Sequence, residues 1–193
     1  MPSPEQQQIA DEDRGTLLDL AHASIRHGLG EAGALHVQPE DHPERLRVMR
    51  ATFVTLNRHC QLRGCIGHLE AIQSLVEDVA ENAWSAAFRD PRFPPLLPHE
   101  LAGLKIHISV LTPPEPLSFS DEADLLQQIR PGVDGLILKD GLARGTFLPS
   151  VWESLPTVNE FWLHLKHKAG LPGNHWSPSL EVYRYTTESF PEE

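Results

Sequence analysis

The sequence predicts an α+β fold, a mostly antiparallel sheet with helices packed on it. Three observations predict it. Residues 104–111 alternate cleanly, with Leu104, Ile106, Ile108 and Val110 to one side and Lys105, His107 and Ser109 to the other, the period of a half-buried strand. Two pairs of β-like runs are joined by short separators, residues 57–61 and 139–141, as hairpins are. Helical patterns with recognisable caps lie between these runs without a regular βαβ alternation, which argues against a parallel sheet.

Taken in order, residues 11–29 predict a first helix. Leu17, Leu18, Ala21 and Ile25 fall near one face, acids gather in the first turn, and Gly30 follows as a stop. Residues 34–47, with Pro39 and Pro43, read as a loop. Residues 48–56 and 62–67 then form the first hairpin, Thr52, Phe53, Val54 and Thr55 being the β-branched and aromatic types that strands favour. Ser74 and Glu77 have capping-box spacing and open a second helix, whose stripe of Val76, Val79, Ala80, Ala83 and Ala87 is small enough to lie close on a sheet. Asp90-Pro91 ends it, because proline disfavours helical geometry in the residue before it. Ser120 is placed to cap a short helix over 121–130. Residues 135–138 and 143–148 flank Lys139-Asp140-Gly141 as a second hairpin. Thr157 and Glu160 form another capping box. It opens a helix that turns Val158, Phe161, Trp162, Leu165 and Ala169 inward and closes at Gly170. Residues 181–186 read as a last strand.

The 193 residues suit one large domain or two small lobes around a real core. Residues 1–10 read as a polar tail preceding a single domain over 11–193. With 40% hydrophobic and 22% charged residues the composition is that of a globular protein. The formal charge of −11 and the lack of any Lys/Arg block argue against general nucleic-acid binding. The first fourteen residues lack the apolar core of a signal peptide, and no apolar run approaches the ~20 residues that cross a bilayer. Two cysteines, Cys60 and Cys65, make no disulfide framework. The expectation is a cytoplasmic protein with no membrane span.

The order of motifs is recognisable. Phe53-Val54-Thr55-Leu56 and then Leu62-Arg63-Gly64-Cys65-Ile66-Gly67 resemble the opening signature of the AMMECR domain family. Asp90-Pro91-Arg92-Phe93-Pro94-Pro95 after Ala86-Ala87 is similar to its second signature. Pro113-Pro114, Asp134-Gly135-Leu136, Leu148-Pro149-Ser150-Val151 and Lys168-Ala169-Gly170-Leu171-Pro172 follow in the family's order. The resemblance implies an α+β fold in two lobes with a cleft between them, and a biochemical activity that is not settled. It also implies association with a Memo-like protein related to ring-opening dioxygenases and with a radical SAM protein, the AmmeMemoRadiSam system. Three positions depart from the family's pattern: His107 where an acid is more usual, His68 where a small hydroxyl residue is commoner, and Arg50-Ala51 where glycine is usual.

The candidate site centres on Cys65. Arg63 lies two residues away, so on a regular strand the two side chains share a face, and a guanidinium beside a thiol favours the nucleophilic thiolate. Gly64 and Gly67 leave the backbone open to a ligand or produce a bulge; the bland alternative is a small buried cysteine among packing glycines. His107 would serve as general base, with Ser109 beside it, or is merely a half-exposed strand histidine. Asp90 and Arg92 either aim at a small anionic ligand or terminate the helix and brace the loop. His59, Cys60, Cys65 and His68 invite a zinc reading, but their spacing does not match paired-ligand knuckles, so no metal and no cofactor is expected. Two functions follow: an enzyme or enzyme subunit using Cys65 on a small anionic substrate or modified nucleobase, or a non-catalytic adaptor that binds the Memo-like or radical SAM partner.

Overall fold

A computed structural model describes residues 9–192. The expected polar tail falls for the most part outside them. The fold is α+β, with two four-stranded sheets, and the chain divides into two compact units.

The first unit holds the chain up to Leu111 and the segment from Glu188. Its elements are helix α1 (Asp11–Gly30), strands β1 (Thr52–Arg58) and β2 (Gln61–Gly67), helix α2 (Leu75–Phe88), strand β3 (Leu104–Leu111) and the last strand of the chain. The sheet runs β2-β1-β3 and then that last strand, so β2 is an edge and β1 is central. Val54, Leu56, Ile106, Ile108 and Val110 turn to the inner face, where they join Leu17, Ala21 and Ile25 of α1 and Val76, Val79, Ala80 and Ala83 of α2 in one core. The alanine stripe lets α2 lie close: the Ser24 hydroxyl of α1 donates to the Ala80 carbonyl at 2.7 Å. Gly64 of β2 faces Ala86, whose carbonyl oxygen lies only 2.1 Å from where a Cβ would stand.

The expected first strand starts four residues late. Val48 and Met49 leave the sheet to meet the start of α2, Met49 bridging Ser74 and the Leu75 N–H donating to the Val48 carbonyl at 2.9 Å. That bond satisfies one of the amide donors a helix N-terminus leaves unpaired. The hairpin turn is also tighter than its five-residue separator suggests. Arg58 pairs with Gln61, and His59 and Cys60 alone make the turn, both in the left-handed region with φ of 52° and 61°.

The second unit, residues 112–187, contains β4 (Glu115–Pro116), α3 (Glu122–Gln128), β5 (Gly135–Asp140), β6 (Ala143–Phe147), α4 (Val158–Lys168) and β7 (Glu181–Tyr185). Its sheet runs β4-β7-β5-β6. Leu125, Leu136, Leu138, Phe161, Trp162, Leu165 and Val182 form its core, and Trp152 stacks on Phe161 with ring centroids 3.8 Å apart. Asp121, one residue beyond the expected Ser120, caps α3 by accepting the Asp124 N–H at 2.9 Å. Strand β4 and the final strand β8 (Thr187–Pro191) have no alternating pattern in the sequence; their places in the two sheets come from pairing.

Candidate functional site

The residues around Cys65 belong to the outer side of the first unit's sheet and to the segment after α2. Register places them. Thr55 of β1 is directly opposite Cys65 of β2 and directly opposite His107 of β3, so the three side chains form one row across three strands. The Thr55 hydroxyl donates to Cys65 Sγ at 3.2 Å. Cys65 is half-buried, with its side chain on the face opposite the core.

Cys65's backbone is held just as firmly. Its N–H points away from β1, at the open edge of the sheet, and donates to Asp90 Oδ2 at 2.8 Å. Arg92 Nη2 donates to the Cys65 carbonyl at 3.3 Å, and the same guanidinium binds Asp90 through Nε at 3.0 Å and Nη2 at 2.7 Å. An acceptor and a donor set side by side do for Cys65 what a neighbouring strand would do, and they close an edge that would otherwise offer a template for pairing. The Asp90 carboxyl group is 1% exposed, and the Arg92 guanidinium, with the Cys65 and Arg92 amides, holds it far below the usual carboxylate range against the opposing effect of burial. Arg92 is in turn held toward its charged form, by Asp90 first and in smaller part by the Cys65 sulfur.

The guanidinium beside the thiol is therefore that of Arg92. Arg63, the partner expected from its spacing, is diverted by a bulge. Leu56 pairs with Gly64 and Asn57 with Leu62, which leaves Arg63 as the extra residue on β2. Its guanidinium makes a bidentate pair with Glu100, Nε to Oε1 at 2.8 Å and Nη2 to Oε2 at 2.9 Å, and reaches the Pro94 carbonyl at 3.0 Å. Arg63 holds the Glu100 carboxyl group down at about 2, and Glu100 raises Arg63. Both guanidiniums approach the Phe93 ring, Arg63 at 5.9 Å and Arg92 at 5.6 Å from its centroid. Asp90 and Arg92 thus brace the loop, as the bland alternative has it, while about half of the Arg92 side chain stays open to solvent at 54% exposure.

Gly64 meets α2 from the core side, so it serves close packing. At Gly67 a Cβ would stand 2.3 Å from the Thr52 carbonyl oxygen and 2.4 Å from the Phe53 ring. His107 has no hydrogen-bond partner among the described residues, and burial lowers its pKa below the ordinary histidine value, which leaves the ring neutral at pH 7. It lies two strand spacings from Cys65, on the order of 9–10 Å between backbones, with Thr55 between them. Ser109 shares its face and bonds Ser189 at 2.8 Å. Cys60 is exposed at the hairpin tip, five residues before Cys65. Among the described residues no group of three or more His, Cys, Asp and Glu side chains could hold a metal ion.

Two groups escaped the sequence reading. Glu100 gave no signal beyond its charge. The other is a buried polar cluster on the inner face. Asp78 Oδ2 accepts the Thr52 N–H at 2.8 Å, the Thr52 hydroxyl at 2.6 Å and Asn82 Nδ2 at 2.8 Å, while Oδ1 lies 3.1 Å from His68 Nδ1 and 3.2 Å from Gln73 Nε2. Asp78 and Asn82 interrupt an apolar helix stripe at i, i+4, which is the signal that could have found them. They also show that His68 turns away from Cys65, toward α2.

The AMMECR1 family model matches residues 18–190. The chain belongs to the AMMECR1 family. A protein of Methanothermobacter thermautotrophicus is 42% identical over 189 residues, covering 95% of each chain. One of Thermococcus gammatolerans is 41% identical over 196 residues, covering 96% of this chain and 93% of its own. The crystal structure of an uncharacterized Pyrococcus horikoshii protein superposes with a TM-score of 0.84 at 37% identity, covering 96% of this chain and 94% of that one. Membership thus spans both units. No helix among the described residues is long and apolar enough to cross a membrane.

Proposed function

We propose that this AMMECR1-family chain is a cytoplasmic enzyme, or enzyme subunit, that uses the Cys65 thiol as a nucleophile on a small substrate bearing an anionic group. The reading places it in a pathway shared with a Memo-like protein and a radical SAM protein. One observation carries it: Cys65 Sγ is fixed by the Thr55 hydroxyl at 3.2 Å, next to a guanidinium and in one row with a neutral imidazole. A nucleophile, a cation and a base held on rigid strands are the parts that thiol chemistry requires. The open half of Arg92 offers the substrate's anionic group a donor, and Asp90 and Arg92 keep the strand from shifting when the sulfur reacts. Ser109 lines the same face, two residues beyond His107 on β3.

The test is native-state alkylation. The folded chain is treated with iodoacetamide and both cysteines are mapped by mass spectrometry. The reading expects half-buried Cys65 to react faster than exposed Cys60, since activation rather than access would set the order. A Cys65 left unmodified while Cys60 reacts would sink it.

A second reading, the adaptor, has its own observation. Val48, Met49 and Ile72 are exposed apolar side chains gathered around the Met49–Ser74 bridge. An apolar patch of this kind suits a protein partner. Co-elution with the purified Memo-like or radical SAM protein, lost on Met49→Glu and kept on Cys65→Ser, would favour the adaptor over the enzyme.

A further inference from the structure

We propose that His107 selects the substrate: its ring binds an uncharged hydrogen-bonding group, an amide or a hydroxyl, at the end of the molecule remote from the carbon that Cys65 attacks. The proposal rests on the reading of Cys65 as a nucleophile and adds the specificity of that same site.

Four polar side chains lie in order across the strands. Arg92 stands beyond the open edge of β2, where its Nη2 meets the Cys65 carbonyl at 3.3 Å. Cys65 follows on β2, Thr55 on β1 and His107 on β3, each opposite the next in register. A molecule with its anionic group at Arg92 and its reacting carbon at the sulfur continues along this line over Thr55 and arrives at His107. Thr55 is a small residue, and its hydroxyl is already committed to Cys65 Sγ at 3.2 Å. Phe53, two residues before it on the same face of β1, leans over Gly67, since a Cβ on Gly67 would lie 2.4 Å from its ring. The ring gives the row an apolar flank. The backbones that carry Cys65 and His107 are two strand spacings apart, about 9–10 Å, so the reacting carbon and the group held by His107 are separated by several bonds.

The state of His107 decides what it binds. The side chain is half-buried, and its ring nitrogens have no hydrogen-bond partner among the described residues. Polar groups withdrawn from water are as a rule paired, so a ring left without a partner is one that a ligand can satisfy. Burial favours the neutral form, which carries one N–H donor and one lone pair. Such a ring matches the carbonyl and N–H of an amide, or a hydroxyl. It offers no charge to a carboxylate, which would lose water there without gaining a counter-ion. Ser109, the next residue on the same face of β3, is engaged with Ser189 at 2.8 Å and does not compete. The row is therefore charged at its Arg92 end and neutral at its His107 end, and this asymmetry sets which way round the substrate lies.

Alkylation of the folded chain with a ladder of iodoacetamides tests the assignment. The reagents carry N-linked methylene tails of increasing length that end in a primary amide, a carboxylate or a methyl group. Rates at Cys65 are compared between reagents of equal tail length, and exposed Cys60 reports intrinsic reactivity in the same sample. At one intermediate length the amide tail is expected to outpace the methyl tail at Cys65 by at least about threefold, the size of one net hydrogen bond, and to show no advantage at Cys60. The carboxylate tail is expected to show no such gain. In His107→Leu the advantage of the amide over the methyl tail should vanish, and in His107→Gln, which keeps a donor and an acceptor, it should return. An amide advantage absent at every length, shared by Cys60, matched by the carboxylate or retained in His107→Leu overturns the assignment and leaves the nucleophile standing. A Cys65 inert to every reagent in the unaltered chain overturns both.

Discussion

The backbone N–H of Cys65 donates to the carboxylate of Asp90 at 2.8 Å, twenty-five residues further along the chain. This bond ties the edge strand β2 to the segment after α2, and the Arg92 guanidinium completes it by donating to the Cys65 carbonyl.

Asp90→Asn should loosen that edge. The amide keeps one acceptor but loses the charge that binds Arg92 and the N–H of Cys65. Losing hydrogen bonds to a buried charged group costs about 1.5–3 kcal/mol. Denaturant titration should show that loss, and hydrogen exchange should show the Cys65 amide losing protection while the Val54 amide at the sheet centre keeps it. Unchanged exchange at Cys65 would refute the edge-capping role.

Acid should act on the Arg63–Glu100 pair in a defined window. Glu100 sits at about 2 in the folded chain, below the unfolded value near 4.3. A carboxyl group depressed on folding contributes stability that is fully present above its unfolded pKa and is lost as pH falls through the folded one. Between about pH 4 and pH 2 the unaltered chain should therefore lose stability more steeply than Glu100→Gln, whose side chain does not titrate. Parallel curves for the two would refute the coupling.

Asp78→Ala should be the most damaging of the polar substitutions. It strips the acceptor from the Thr52 amide and the Thr52 hydroxyl, both fully buried, while Asn82 Nδ2 keeps the Thr52 carbonyl and hydroxyl oxygens as acceptors. Each donor left unsatisfied costs about 1–3 kcal/mol, so the two together take a large share of the ~5–15 kcal/mol that stabilises a domain. The expected outcome is a first unit that fails to fold, read as lost amide protection throughout β1 and α2. Native-like protection in β1 would count against the assignment.

Cys60→Gly should do the opposite. Cys60 holds a φ of 61° in a two-residue turn, a conformation that costs a residue with a Cβ about 1–2 kcal/mol and costs glycine nothing in sterics. Part of that gain is offset by glycine's greater freedom when unfolded, so a net stabilisation of about 0.5 kcal/mol is expected in a thermal melt. A lower melting temperature would show that the thiol makes contacts that matter more than the turn geometry.

The sequence by itself determined the fold class, both hairpins, the four helices with the Ser74 and Thr157 caps, and the segment that carries Cys65. Local physics specifies those features: alternation sets strands, capping residues set helix starts, and proline and glycine set ends. Thr55, Cys65 and His107 were each legible as residues. That they form a row was not, because register depends on which strands pair and where a bulge falls. The same bulge moved Arg63 from Cys65 to Glu100 and left Arg92 beside the sulfur, although spacing along a regular strand pointed to Arg63. Strands β4 and β8 lack a pattern of their own and exist through their partners. The tertiary structure decided which charge meets which, since a carboxylate and a guanidinium are drawn together by distance in space, and distance in sequence says little about it.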